Sequence, residues 1–372
     1  MDTYMYWLST LYTMGSRKQN LLLSLFGSAK EAFDASPETM RKIPGITEHN
    51  IRIIQKNKDV KTIKRGMDML SKMGISLTYL GHQDYPKLLA EIPDPPVVLF
   101  YLGKLPPDEL PDDPPKVAII GSRRCSEYGL SAARRFGLAL AKRGVIVVSG
   151  MARGIDSMAH RGALEAISEE SDKTTIAVLG CGADICYPAE NRSLRDNIAK
   201  HGCVLSEYPP GVGPRASHFP ARNRIISGLS QIVIVIEAGK KSGTLITVDQ
   251  ALDQGRDVMA LPGNITNKYS EGTNSLIKQG AEPVCNYEDI LHMLGMTANK
   301  KANIKSEKIK EPNIATGEKL VYDVLASRPY TLDELSIKTK SQPQIVQHIL
   351  TMLELKGYVK RLPGMRYVQQ DS

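Results

Sequence analysis

The sequence has 372 residues, which is enough for two or three domains with full-sized hydrophobic cores. It carries 48 Lys and Arg against 40 Asp and Glu, a formal net charge of +8, which permits a nucleic-acid partner without requiring one. The N-terminal residues lack the basic segment and apolar core of a secretory signal, and no window approaches 18 consecutive apolar residues. These features exclude a membrane span and predict a cytoplasmic protein.

The basic surplus is confined to part of the chain. Residues 1–115 carry 14 basic and 14 acidic side chains, residues 116–295 carry 21 and 18, and residues 296–372 carry 13 and 8. The five cysteines show no C-x-x-C spacing and no regular spacing with histidine. We therefore interpret them as small hydrophobic residues and predict neither a disulfide framework nor a metal site.

The first 75 residues predict a small helical domain, with helices over 5–14, 18–26, 29–35, 37–43 and 48–57. Helices this short bury their apolar faces only against one another. The run Ile43-Pro44-Gly45-Ile46-Thr47 resembles a helix-hairpin-helix turn, and a SAM-like bundle is the other interpretation. Because the surrounding segment has no net charge, we favour a packing or protein-contact role over direct DNA binding.

Residues 76–115 are rich in proline, with Pro-Pro pairs after Asp94, Leu105 and Asp113. Proline removes a backbone donor and stiffens the chain. The segment is therefore predicted to be a semi-rigid, mostly extended connector, in which 97–101 could still pair as a strand.

Residues 116–295 alternate between strand and helix patterns. Strands are predicted over 116–120, 145–149, 174–179, 203–206, 231–236, 257–261 and 282–284, and helical runs separate nearly all of them. The β-branched run over 232–236 is typical of a strand that is buried on both faces. This alternation predicts an extended Rossmann-like α/β domain with a doubly wound, mainly parallel sheet.

Glycine-rich and basic segments follow two of these strands. Gly121-Ser122-Arg123 follows the first, and Ala238 to Thr244, with Lys240 and Lys241, follows the strand over 231–236. Ligands of open α/β sheets bind beyond the carboxyl ends of strands, where backbone N–H groups and helix dipoles favour anions. We therefore expect these turns to form one basic groove for an anionic polymer or a nucleotide.

The run just upstream of the strand over 231–236 offers further contacts for such a ligand. Arg222 and Arg224 supply forked donors suited to phosphate, and Phe219 supplies a flat apolar surface on which a base can stack.

Two common nucleotide-binding motifs are absent. Gly129 lies eight residues after Gly121, too far for the G-x-G-x-x-G fingerprint of NAD binding. A Walker A loop needs a glycine where this chain has Ile234. His160, His201 and His218 lie in different units without paired carboxylates, so we predict no catalytic triad, no metal and no cofactor.

Residues 296–312 are polar and lysine-rich and predict a solvated linker. Residues 313–372 predict a winged-helix domain, with helices over 318–327, 331–339 and 342–356 and strands over 358–362 and 365–369 that flank Pro363-Gly364. The third helix is poor in Arg and Lys on its predicted exposed face. Protein contact is therefore as well supported for this helix as recognition of a DNA major groove.

Several segments together resemble the DNA-processing protein A (DprA or Smf) family, over about residues 80–290. They read GSRRCSEYG, VVSGMARGIDSMAHRGAL, AVLGCGADICYP, HFPARNRIISGLS, EAGKKSGTLITVDQAL and LPGNITNKYSEGTNSLIKQGA. The resemblance implies a cytoplasmic bacterial protein that binds single-stranded DNA, typically as a homodimer. It also implies that the protein protects incoming DNA and loads the RecA recombinase onto it during natural transformation.

The resemblance assigns strand-binding roles to Gly121, Ser122 and Arg123, to the stacking Phe219 with Arg222, and to the Lys241-Ser242-Gly243 turn. A lysine that some relatives place shortly before the aromatic residue is replaced here by Arg215-Ala216, which makes Arg215 the candidate for that charge. The complete set of predicted DNA-binding residues is Gly121, Ser122, Arg123, Arg215, Phe219, Arg222, Asn223, Lys240, Lys241, Ser242, Gly243 and Thr244.

Two other functions remain alternatives. The glycine turns are also similar to those of nucleotide-cleaving lysine decarboxylase-like proteins, but Val248 stands where those enzymes carry a catalytic glutamate. We therefore predict that the protein is not an enzyme. A regulator that binds double-stranded DNA through the winged helix is the second alternative.

Overall fold

A computed structural model of the chain describes residues 2–106, 114–167, 174–296, 316–325, 329–356, 358–362 and 365–369. They belong to two compact units, Met1–Thr297 and Ala298–Ser372. Within the described ranges, no helix has the length and apolar character needed to cross a membrane.

The chain begins with a bundle of short helices, as predicted. Side-chain caps such as Asp2, Ser28, Ser36 and Thr47 satisfy backbone donors at helix starts. The last helix of the bundle, Val60–Lys72, was not predicted. The helices are α1 (Thr3–Ser9), a 3₁₀ turn (Tyr12–Met14), α2 (Ser16–Phe26), α3 (Ala29–Asp34), α4 (Pro37–Arg41), α5 (Glu48–Lys56) and α6 (Val60–Lys72).

The proline-rich segment is more ordered than the predicted connector. It contains β1 (Ser76–Tyr79), the short helix α7 (Lys87–Ala90) and β2 (Val98–Gly103). β1 and β2 pair antiparallel, and Phe100 of β2 is fully buried in the core of the helical bundle. The possible strand over 97–101 is thus confirmed, and it joins the bundle to the sheet. The predicted domain boundaries themselves stay predictions.

The α/β region follows the predicted order closely. Two additions are the helix after the last strand and a 3₁₀ turn (Ala189–Asn191). The elements are β3 (Lys116–Ile120), α8 (Glu127–Ala141), β4 (Ile146–Ser149), α9 (Ile155–Leu164), β5 (Thr175–Leu179), α10 (Arg192–His201), β6 (Cys203–Ser206), α11 (His218–Gly228), β7 (Ile232–Val235), α12 (Thr244–Asp253), β8 (Asp257–Ala260), α13 (Glu271–Lys278), β9 (Glu282–Pro283) and α14 (Tyr287–Met293).

The described strands of this region and of the proline-rich segment together form a nine-stranded sheet in the order β1-β2-β6-β5-β4-β3-β7-β8-β9. All neighbours from β6 to β9 pair in parallel, whereas β2 pairs antiparallel with both β1 and β6. Apolar clusters cover both faces of the parallel strands. The predicted doubly wound, mainly parallel sheet is confirmed.

The chain reverses its direction of winding between β3 and β7. From β3 it proceeds outward through β4, β5 and β6, and it then crosses back through α11 to place β7 on the other side of β3. Such a switch point opens a crevice at the carboxyl ends of the two strands, because their following loops diverge to opposite faces of the sheet.

The C-terminal unit has the predicted winged-helix elements. They are α15 (Thr316–Leu325), β10 (Tyr330–Thr331), α16 (Leu332–Thr339), α17 (Pro343–Leu355), β11 (Val359–Leu362) and β12 (Arg366–Gln369). Thr331 caps α16 as predicted, and β10 adds a third strand to the predicted hairpin. The predicted linker, except Met296, and the Pro363-Gly364 turn lie outside the described residues.

Candidate nucleic-acid interface

A cleft of about 960 Å³ opens at the switch point between β3 and β7. Its walls come from the loops after these strands, the start of α11 and the start of α12. All twelve residues that the sequence predicts as DNA-binding line it: Gly121, Ser122, Arg123, Arg215, Phe219, Arg222, Asn223, Lys240, Lys241, Ser242, Gly243 and Thr244. The turns therefore converge on one site, as expected from the parallel sheet.

Phe219 lies at the centre of an aromatic and cationic group in this cleft. The guanidinium carbon of Arg123 lies 5.2 Å from the centre of the Phe219 ring, and the Tyr187 ring centre lies 5.4 Å from it. Gly180 permits this position, because a Cβ atom there would lie only 3.0 Å from Cδ1 of Phe219. The β5 turn thus supports the ring, and an arginine is available beside it for a phosphate.

Two helices begin at the cleft. Phe219 lies in the first turn of α11, and Gly243 and Thr244 form the start of α12. Neither helix has an acidic residue in its first turn. Ser242 accepts a hydrogen bond from the backbone N–H of Thr244, at 3.2 Å, which fixes the turn. The partial positive charges of both helix ends therefore favour an anion in the cleft.

The exposed charges of the cleft are mostly positive. Within the described part of the chain, its exposed cations form no ion pair or side-chain hydrogen bond; they are Arg123, Arg124, Arg215, Lys240, Lys241 and Lys268. The exposed carboxylate in its lining is Glu271. Cations without carboxylate partners keep their full charge for an external anion such as phosphate.

Arg222 lines the floor of the cleft and is only 4% exposed. Its Nη1 donates a hydrogen bond to the carbonyl oxygen of Gly150, at 2.8 Å, and another to that of Val178, so it links the ends of β4 and β5. Asp156 lies nearby, and burial raises the pKa of its carboxyl group while the positive charge of Arg222 opposes this shift. Arg222 thus supports the floor of the site rather than offering a free fork.

Arg224 does not reach the cleft, so the prediction that it presents a forked donor to the ligand is wrong. It is 8% exposed and makes a two-bonded ion pair with Glu207, at 2.6 and 2.9 Å. Its other donors bond to the Asp94 carbonyl oxygen and to Ser16 of α2. Its hydrogen bonds join α11 to the N-terminal helices. Arg222 and Arg224 have different partners because residues two positions apart on a helix point to different sides.

Glu237 holds the β3 and β7 turns together. It is 1% exposed, and its carboxylate accepts hydrogen bonds from the backbone N–H and the hydroxyl of Ser126, the cap of α8. Its carbonyl oxygen accepts from the N–H of Ser122, at 2.8 Å. A side chain at Gly129 would collide with this carboxylate, which explains why glycine occurs there. Glu237 therefore has a structural role and is absent from the cleft lining.

Comparison with known protein families places this site in context. A family model of the DNA recombination-mediator protein A matches residues 76–295, and a model of the DprA winged helix domain matches residues 310–365. The chain belongs to the DNA-processing protein A family.

Relatives and solved structures agree with this assignment. Protein Smf of Synechocystis is 38% identical over 313 residues, 76% of this chain and 77% of that protein, and DprA of Streptococcus pneumoniae is 46% identical over 207 residues, 56% and 70% of the two chains. The X-ray structure of Streptococcus pneumoniae DprA aligns with a TM-score of 0.66 and 36% identity, covering 78% of this chain and 98% of that one.

A second similar structure concerns the binding of single-stranded DNA by another protein. DNA processing protein A of Helicobacter pylori aligns with a TM-score of 0.52 and 32% identity, covering 59% of this chain and 95% of that one. That structure gives insight into the single-stranded DNA binding mode of the Helicobacter pylori protein.

Two histidines of this chain have structural surroundings, as the sequence predicted. His218 lies against Tyr208, with ring centres 4.1 Å apart, and its Nδ1 lies 3.2 Å from the carbonyl oxygen of Gly180. His160 is fully buried, and burial lowers its pKa to about 3, with the charge of Arg222 acting in the same direction. Both rings therefore help to hold the elements that carry the site.

Sequence reasoning missed several residues of the cleft. They are Arg124, Tyr187, Lys268, Tyr269 and the acidic Glu271. Arg124 directly follows the recognised Gly121-Ser122-Arg123 turn and could have been included with it. The Lys268-Tyr269 pair follows β8, the strand next to β7 in the sheet. Only the strand order could show that this loop also reaches the cleft.

Proposed function

We propose that the protein binds single-stranded DNA in the cleft and breaks no bond in it. The observation that carries this proposal is the set of exposed cations that line the cleft together with the Phe219 ring, at the starts of two helices, and that form no ion pair among the described residues. Cations follow the phosphates while an aromatic ring stacks on a base of any identity. Binding should therefore tolerate any sequence and weaken steeply with salt.

The proposal extends to a role in recombination. The matching family model describes a DNA recombination-mediator protein, and the Helicobacter pylori structure concerns single-stranded DNA binding. The role that we propose is protection of incoming DNA in the bacterial cytoplasm and loading of RecA onto it during natural transformation. A homodimer through the Rossmann-like domain would place two clefts on one strand and raise affinity through effective concentration.

The lining of the cleft argues against nucleotide hydrolysis. Val248, at the position of the catalytic glutamate in the related enzymes, is buried in the core behind the cleft. Of the carboxylates that line the cleft in the described residues, Asp156 is buried near Arg222 and Glu271 lies at the start of α13. These two groups offer no free acid and base pair like the one that hydrolytic cleavage of a glycosidic bond ordinarily uses.

The winged helix gives little support to duplex recognition. The exposed residues of α17 are Pro343, Gln344, Ile345, Gln347, His348, Thr351, Glu354 and Leu355, with no Arg or Lys among them. A recognition helix in a major groove ordinarily contacts phosphates and guanine through such cations. A protein partner fits this surface better than duplex DNA does.

The test compares full-length protein on oligo-dT with a duplex of the same length, over a range of salt concentrations. We expect tighter binding to the single strand and a linear decrease of log affinity with log salt. The double variant Arg123→Gln/Lys241→Gln should bind oligo-dT more weakly, and unchanged affinity in this variant would refute the site. Release of free base from a nucleoside monophosphate would revive the hydrolase.

A further inference from the structure

The cleft contains a second pair of a cation and an aromatic ring that the family resemblance does not assign. Lys268 Nζ lies 5.2 Å from the centre of the Tyr269 ring, the same separation as that between Arg123 and Phe219. Both Lys268 and Tyr269 line the cleft, and Tyr269 is half-buried. The cleft therefore offers two sites of the same chemistry, each with one ring and one cation.

The two pairs lie on different sides of the switch point. Phe219 packs on Gly180, after β5, and contacts Arg123, after β3, whereas the second pair follows β8. The Lys268 carbonyl lies beside Gly239, at the start of the basic turn after β7. β8 is two strands from β3, which is roughly 10 Å at the usual strand spacing. Because the two rings are carried by different elements, α11 and the loop after β8, we assign them to different bases.

The loop that carries the second pair is held in place by its own hydrogen bonds. The Asn267 side chain accepts from the backbone N–H of Tyr269, at 3.0 Å. Asn274 and Gly263 exchange two hydrogen bonds, at 3.0 and 3.1 Å, which tie the loop to α13. The neighbouring Ser270 is 2% exposed. A ring on such a loop loses little conformational entropy when it binds a base.

We propose that Tyr269 and Lys268 form a second nucleotide-binding station in the cleft. The Tyr269 ring stacks on a base, and Lys268, with its flexible stem, contacts the flanking phosphate. This inference rests on the proposed single-stranded DNA function and deepens it, because it assigns the strand a path across the switch point from Phe219 to Tyr269. The cleft then holds several nucleotides of one strand rather than a single one.

The first test measures the affinity of full-length variants for a short oligo-dT. Tyr269→Ala should weaken binding roughly 5- to 150-fold, the range expected for losing one stacked base, whereas Tyr269→Phe should bind like the original protein. Tyr287→Ala is the matched control. Its ring also lies under a cation, Arg143, at 5.3 Å, but it does not line the cleft, so its removal should leave affinity unchanged.

The second test locates the stacked bases by placing one abasic site at each position of the oligonucleotide in turn. When the abasic site occupies the position that stacks on Tyr269, Tyr269→Ala should cause no further loss of affinity. Phe219→Ala should show the same non-additivity at a different position. If both variants couple to the same position, the cleft has one station and the inference is wrong.

The outcomes separate this inference from the proposed function. Weaker binding by Phe219→Ala together with unchanged binding by Tyr269→Ala would overturn the second station and leave the single-stranded DNA function intact. Unchanged binding by both variants would overturn the second station and also the assignment of DNA binding to this cleft. Lys268→Gln should reduce the magnitude of the salt slope by about 0.7, the value for one phosphate contact on a single strand, and an unchanged slope would contradict its assigned role.

Discussion

Two groups of basic residues lie in or near the same cleft, but one group is exposed and the other is buried. Arg123, Lys240 and Lys241 are exposed and form no ion pairs among the described residues. Arg222 and Arg224, on α11, are almost fully buried and bond to backbone carbonyls and carboxylates. The exposed group is available to an external phosphate, whereas the buried group is occupied by the protein itself.

The comparison shows that the role of a basic residue depends on its ion-pair and hydrogen-bond partners more than on its place in a sequence motif. Breaking a buried ion pair leaves a charge without a partner in the interior, which costs several kcal/mol. Removing an exposed cation costs the folded state little, but it removes one phosphate contact. Variants of the two groups should therefore separate stability from DNA affinity.

The largest expected effect comes from Arg224. Arg224→Ala leaves Glu207 and the Asp94 carbonyl without their partner and removes a link to Ser16, so the free energy of unfolding should fall by about 3 to 5 kcal/mol. Urea unfolding followed by the fluorescence of Trp7, the sole tryptophan, measures this loss.

Arg17 provides the matched control for this prediction. Arg17 also approaches Asp94, at 3.8 Å, but its side chain is 86% exposed. Arg17→Ala should change the unfolding free energy little, because exposed ion pairs contribute little. Equal losses in the two variants would show that burial does not distinguish these arginines.

Phe219 should give the next largest effect, on binding alone. Phe219→Ala removes the stacking surface and should cost about 1 to 3 kcal/mol of binding free energy for oligo-dT, with an unchanged salt slope because no charge is lost. Filter binding or fluorescence anisotropy at several salt concentrations measures both quantities. Phe219→Trp keeps a ring and should retain most of the affinity; a loss equal to that of the alanine variant would argue against stacking.

His160, a buried residue of α9, provides a test through pH. Its Nδ1 donates to Thr175 Oγ1, since that hydroxyl donates to the Val147 carbonyl. With a pKa of about 3 in the folded protein and about 6.5 when unfolded, the unfolded state binds more protons between these values. Stability is therefore retained above pH 6.5 and lost as the pH falls towards 3.

The expected loss from this histidine between pH 7.5 and 5.5 is about 1.4 kcal/mol of unfolding free energy. It is obtained as the difference between the original protein and His160→Gln, because other groups titrate in both proteins. If both proteins lose stability equally over this range, His160 is not the buried neutral group that we describe.

The parallel sheet and its turns could be predicted from the sequence because they depend on local patterns. The β-branched run over 232–236 predicts β7 to within one or two residues. The glycines that follow β7 and its neighbouring strands predict where those strands end with similar accuracy. The parallel order then brings the predicted turns together, which is why the twelve predicted residues line one cleft.

The remaining features depend on contacts between distant residues. Arg224 bonds to Asp94, 130 positions away, and no local pattern indicates that it faces the bundle. β1 and β2 become strands because β2 pairs with β6 and buries Phe100 against the helical bundle, despite the prolines around them. Tyr269 enters the cleft because β8 lies beside β7, a neighbour relation that only the folded sheet defines.

The smallest expected effect, and the most specific for the exposed group, is that of Lys241. Lys241→Gln should reduce the magnitude of the salt slope for oligo-dT by about 0.7, because one phosphate contact is lost. Plots of log affinity against log salt concentration for the variant and the original protein should converge towards 1 M salt, where counterion release no longer contributes. This behaviour differs from that of Phe219→Ala, whose line should stay parallel to that of the original protein.

Lys200 serves as the control for this last prediction. It is exposed on α10 and does not line the cleft. Lys200→Gln removes the same net charge from the protein but no phosphate contact, so its salt slope should equal that of the original protein. If both glutamine variants reduce the slope equally, the effect arises from overall charge, and the distinction between the cations of the cleft and those elsewhere on the surface fails. A reduction in Lys241→Gln alone assigns one phosphate of the strand to the turn after β7.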